Sequence, residues 1–160
     1  MWPMIAYAQP TGTITPALDR LRTHLVQVPE RLHGCSEADL TYHLPGKWSR
    51  KQLLGHLIDS ALNNLKRFTD APLADGPYRL QGYQQDELVL ANRYQDLPLD
   101  HLLSLWSSLN TQIIYVAEAI PAELLSKPIR VENPTDDTLT LGWLIEDYVA
   151  HLEHHLKTML

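Results

Sequence analysis

Four long stretches of this chain place apolar residues three and four positions apart, a period that strands cannot use and amphipathic helices require. The first is Ile14, Leu18, Leu21, Leu25, Val28 and Leu32. Thr15 followed by Pro16 suits its start, a capping hydroxyl and then a proline whose missing N–H does no harm. Pro29 is expected to kink or interrupt this helix, and Gly34 to end it. The second stretch opens at Ser49-Arg50-Lys51-Gln52, which matches a capping box, and is expected to run from Arg50 to about Thr69, before Pro72. The third follows Pro98 and carries Leu102, Leu105, Trp106, Leu109, Ile113, Val116 and Ile120, with Pro121 closing it. The last, Leu141–Met159, has Thr140 as its cap.

The segments between are shorter in pattern. Residues 35–48 read as a loop with a single helical turn, and 72–83, with Pro72, Gly76, Pro77 and Gly82, as a plain loop. A short helix is expected over Gln85–Tyr94. Residues 126–138 form a polar loop with an extended stretch around Ile129–Val131. With no convincing strand alternation and no internal repeat, the expected fold is all-α: one domain over residues 1–160, built as a four-helix bundle. The linkers after the first and third long helices exceed what an up-and-down bundle needs, so they cross the bundle or roof a pocket.

Composition narrows the function. A chain of 160 residues, 44% hydrophobic and 20% charged, has the profile of a water-soluble globular protein. A formal charge of −6 without basic runs argues against nucleic-acid binding. Cys35 is the lone cysteine, which excludes an intrachain disulfide and any cysteine-rich zinc site. The opening MWPMIAYAQP lacks a basic leader and carries two prolines, so it does not read as a signal peptide. No run of about 18 apolar residues offers a membrane span. Together these point to a cytoplasmic protein with no membrane partner.

Chemistry concentrates in histidine. HLEHH near the C-terminus holds His151, His154 and His155. At about 100° per residue, His151 and His155 stand above one another at the edge of the face formed by Leu141, Leu144, Ile145, Tyr148, Val149, Leu152 and Leu156. His154 falls off that face, beside Ala150 and Lys157, and is set aside. A pair of imidazoles at i and i+4 can chelate a divalent metal, but a third ligand is needed from elsewhere. His56 is the best candidate. It shares a stripe with Gln52, Ser60, Asn63 and Arg67, opposite the apolar face of Leu54, Leu57, Ile58, Ala61, Leu65 and Phe68. Amphipathicity leaves that stripe open to two readings, a solvent face or a polar cleft. His24, His33, His43 and His101 carry no spacing signal. HExxH, paired Glu-x-x-His, phosphate-loop and nucleophile-elbow motifs are absent.

LPGKWSRKQLLGHLIDSALNNLKRF, GYQQDELV and the closing HLEHH, in that order, resemble the motifs of the DinB/YfiT-like superfamily over residues 14–159. The resemblance implies a four-helix bundle of that type, with long crossover linkers, holding a divalent metal, commonly zinc or nickel. Its ligands carry over to His56, His151 and His155. It further implies a homodimer, a small electrophilic substrate, and activity as a low-molecular-weight-thiol S-transferase or a hydrolase. A thiol co-substrate brings its own sulfur, which agrees with an unremarkable Cys35. Asp59 and Asp147 lie within reach of the ligand histidines as orienting carboxylates. Asn63, Arg67, Tyr83 and Tyr148 are the candidate pocket residues. The alternative to an enzyme is a non-catalytic metal- or ligand-binding bundle, or a stress-linked interaction module.

Overall fold

The computed structural model describes residues 6–7, 12–131 and 139–160. Most of the opening MWPMIAYAQP and the end of the 126–138 loop therefore lie outside the described residues. Six helices follow one another: α1 (Thr15–His33), α2 (Glu37–Thr41), α3 (Arg50–Leu73), α4 (Gln85–Ala91), α5 (Leu99–Ala119) and α6 (Leu141–Met159). The four long ones, α1, α3, α5 and α6, make the expected bundle.

Local chemistry sets several ends as expected. The Ser49 hydroxyl accepts from the Gln52 N–H while the Gln52 side chain accepts from Ser49, closing the capping box of α3. Thr140 caps α6 at Trp143. Ser36 and Asp39 form a second box that starts α2, the single turn expected in the 35–48 loop. Two expectations fail, at Thr15 and Pro72, and at Pro29 the helix is not interrupted. Thr15 is the first helical residue rather than the cap, and Ile14 holds the cap position without a side-chain bond. Pro29 sits inside α1, flanked by fully buried Val28 and Leu32, so core packing on both sides carries the helix through one lost bond. Pro72 likewise lies inside α3, where as the penultimate residue it disturbs only the last turn.

Helix α1 packs on α5 and α6, and α3 packs on the same two. Consecutive long helices α1 and α3 are thus diagonal, as are α5 and α6. The linkers after α1 and α5 make the two diagonal crossings, which is why they are long. The linker after α3 meets the linker after α5 in a small parallel ladder, β1 (Tyr78–Arg79) with β2 (Ile129–Arg130), in the register Tyr78↔Ile129. This is the extended stretch expected near Ile129, now with a partner.

The predicted apolar faces of α3 and α6 are buried, Leu65 alone being partly open. On α5 the core face is rotated from the expected one. Leu102, Trp106, Ile113 and Ala117 are buried, whereas Leu105, Leu109, Val116 and Ile120 stay partly exposed. Asn110 lies on the buried side, donating to the Trp106 carbonyl and accepting from the Tyr148 hydroxyl at 2.6 Å. Among the described residues no helix is long and apolar enough to cross a membrane.

Candidate metal centre

Residues 53–61 of α3 are buried without a break, because α3 has neighbours on both sides and α2 and α4 across its N-terminal half. A helix covered all round cannot keep a solvent stripe. His56, ambiguous from its pattern, is accordingly 0% exposed. Its ring faces His151 and His155 of α6, and the Ser60 hydroxyl one turn on faces His151.

The three rings meet edge to face, with centroids 5.2 Å apart for His56 and His151, 4.7 Å for His56 and His155, and 4.6 Å for His151 and His155. Their ligand nitrogens all lie within 4.8 Å of one another. His151 Nε2 is 3.3 Å from His56 Nε2 and 3.0 Å from His155 Nε2. Two nitrogens on a tetrahedral ion at 2.0–2.1 Å would stand about 3.3 Å apart. The cluster therefore has the donor set and the spacing a divalent ion needs. His154 is exposed and outside the cluster, as its place on the helix requires.

Burial governs the charge of these rings. Desolvation, then mutual repulsion, pushes His56 and His151 down to about 3. His155, more open, is pushed down to about 4 by burial and by His154. All three are neutral near pH 7, with a ring nitrogen of each gathered at one place. Hydrogen bonding alone is a poor use of that arrangement, since each neutral imidazole has one donor and one acceptor nitrogen. Buried His56 Nδ1 has no hydrogen-bond partner among the described residues.

Aromatic rings close the flanks. Trp48 lies against His56 at 4.8 Å, and Tyr7 against His151 at 5.1 Å. The Tyr7 N–H donates to Asp147 Oδ1, so this carboxylate anchors Tyr7 beside the histidines. His151 Nδ1 is 3.5 Å from the Ser60 hydroxyl, one turn beyond His56.

Asp59 departs from the expected role of partner to His56. It is 2% exposed, and its Oδ1 accepts from the Tyr94 hydroxyl at 2.7 Å and from Asn92 at 3.0 Å. Oδ2 has no partner among the described residues. Burial, opposed by those two bonds, raises its pKa. The Tyr94 contact depends on Gly55. A Cβ there would meet Tyr94 Cδ2 at 2.0 Å, so the ring lies flat on α3 only because position 55 has no side chain. Tyr94 is in turn outside the short helix expected over Gln85–Tyr94. Arg93, at φ 56°, breaks the chain into a 3₁₀ turn and turns the phenol inward. Neither Asn92 nor Tyr94 was legible as a site residue, but a lone glycine in mid-helix was a usable sign of close approach.

Of the candidate pocket residues, Tyr148 is a core residue, fixed to Asn110. Asn63 donates to the Asp59 carbonyl, and Arg67 and Tyr83 are half-buried together.

Comparison with known proteins agrees with this architecture. The family described as the DinB superfamily matches residues 17–159. A curated protein of Halalkalibacterium halodurans, named "putative metal-dependent hydrolase", is 28% identical over 137 residues, which covers 82% of this chain and 78% of that protein. The solved structure of YfiT from Bacillus subtilis, described as a probable metal-dependent hydrolase with an unusual four-helix bundle topology, covers 99% of this chain and 92% of its own, with a TM-score of 0.77. At 18% identity that second likeness is one of fold.

Proposed function

The chain belongs to the DinB superfamily, and on that premise we propose that it is a metal-dependent hydrolase whose divalent ion is held by His56, His151 and His155. The observation that carries the reading is the convergence of three neutral ring nitrogens in a buried cleft. The name of the Halalkalibacterium halodurans relative supports the same reaction class.

Three imidazoles, with no fourth ligand among the described residues, suit a catalytic site, where a position stays open, rather than a closed structural one. Zinc and nickel both accept this donor set. Such an ion would supply Lewis acidity, polarising an electrophile and making a water or thiol a better nucleophile at neutral pH. The chain's own groups do the rest. Burial keeps the histidines unprotonated, so protons do not compete for their lone pairs. Ser60 stands where it can accept the Nδ1–H of His151 and fix which nitrogen faces the cleft. Trp48 and Tyr7 exclude water from the flanks.

The test is metal content by mass spectrometry on untagged protein, beside His56→Ala and His151→Ala. About one divalent ion per chain, absent from both variants, supports the centre. No metal after reconstitution with zinc or nickel refutes it. Ester and amide hydrolysis, measured with and without added low-molecular-weight thiol, then separates a hydrolase from a thiol S-transferase.

A further inference from the structure

His56, Ser60, Asn63 and Arg67 recur at four-, three- and four-residue intervals, so one face of α3 carries all of them. The Arg67 backbone lies about 16 Å along the axis from that of His56 at 1.5 Å per residue. Its side chain leans back toward the histidines, as helical side chains do, with Nη1 donating to Asn64 Oδ1 at 3.3 Å. Asn64 links the two ends: its Nδ2 lies 3.4 Å from the Ser60 hydroxyl, which is itself 3.5 Å from His151 Nδ1, and the Tyr83 ring supports the guanidinium 5.7 Å from its centroid. A continuous polar wall thus runs from the metal-ligating histidines to one cation.

That cation has no carboxylate within ion-pair distance among the described residues, and unlike Arg31, Arg79 and Arg130, which also have none there, it is half-buried. Its hydrogen bonds go to neutral oxygens, Gln81 O and Asn64 Oδ1. Three of the five guanidinium N–H groups are left for a ligand. The planar fork and a supporting aromatic ring suit bidentate capture of a carboxylate or phosphate.

We propose that Arg67, held by Tyr83, recognises an anionic group, carboxylate or phosphate, at the end of the substrate remote from the bond that the three-histidine centre attacks. This rests on the metal-centre reading for the word substrate. The anion site itself does not depend on it, and the test is made on metal-free protein. Inorganic phosphate and succinate are titrated separately into the full chain while the Arg67 Nε–H resonance is followed by NMR, and their affinities are measured by calorimetry. Saturable movement of that resonance is expected with at least one probe, and which one responds identifies the group. Arg67→Gln is expected to weaken binding about tenfold or more, the loss of a charge-assisted bond, and Arg67→Lys to restore part of it. His56→Ala is expected to bind the anion normally. A purely structural Arg67, clamping the 78–83 loop, predicts instead a lowered Tm in Arg67→Gln with unchanged affinity. That result, or an Nε–H resonance indifferent to both anions in the wild-type chain, overturns the proposal. Neither reading depends on whether the metal is later found.

Discussion

Two buried polar groupings lie on α6 and obey opposite rules. Tyr148, Asn110 and the Trp106 carbonyl form a short relay between α6 and α5, in which both ends of the Asn110 amide are occupied. Where α6 faces α3, His56 Nδ1 and Asp59 Oδ2 are buried without partners among the described residues, and three histidines turn toward one point. A buried polar group without a partner costs about 1–3 kcal/mol, so the first grouping serves the fold and the second weakens it. Sites are commonly assembled at the expense of stability. The division is not absolute, since the Trp106 indole N–H, beside the first grouping, is also buried without a partner among the described residues; what sets the second apart is that one of its open atoms belongs to the three converging histidines.

The contrast can be broken most directly with metal. Zinc at a thousandfold excess over its Kd is expected to stabilise the native protein by about 4 kcal/mol, read as a rise in Tm that chelator reverses. His151→Ala should abolish that rise, while Tyr148→Phe should leave it intact. Next in size is Gly55→Ala. Helix propensity alone predicts a gain of about 1 kcal/mol. The 2.0 Å approach of Tyr94 reverses the sign, and a loss of about 1–3 kcal/mol in urea unfolding is expected from overpacking. A gain would mean that Tyr94 leaves α3 at little cost. Tyr148→Phe is expected to cost about 1 kcal/mol by leaving Asn110 Oδ1 without its donor, with metal content unchanged.

A separate contrast lies in pH. The folded-state values of the three histidines lie below the ordinary 6.5, so between the two the unfolded chain binds more protons. Stability of the metal-free protein should therefore be flat above about pH 6.5 and fall as pH drops toward 4. His56→Gln should shallow that slope, whereas Tyr148→Phe should shift the whole curve without changing its shape. Equal slopes in the wild type and His56→Gln would show that His56 is not held neutral by its surroundings.

The helices and the α6 histidine pair were legible in the sequence because both are local. A capping box needs four residues, and an i,i+4 pair needs five. His56 was legible only as a candidate: an amphipathic pattern shows which residues differ from the apolar face, not what covers them. The rotated face of α5 shows the same limit, since Leu105 and Leu109 are as apolar as Leu102 and only tertiary neighbours decide among them. Pro29 and Pro72 lie inside helices because a proline's propensity is local, whereas the packing that carries a helix past it is not. Gly55, Asn92 and Tyr94 meet at Asp59 through a left-handed Arg93, and nothing periodic announces that turn.

The parallel ladder between Tyr78–Arg79 and Ile129–Arg130 has a consequence in time. Parallel strands cannot be joined by a tight turn, and here the whole of α5 intervenes between them. The ladder gains its bonds, Tyr78 N–H to Pro128 O and Leu80 N–H to Arg130 O, only after that long loop has closed against entropy. It should form among the last events of folding and open among the first. The amides of Tyr78 and Leu80 then serve as a clock. In hydrogen exchange they should lose protection ahead of the α3 and α6 interior, releasing the segment that carries Tyr83 while the histidines stay in register.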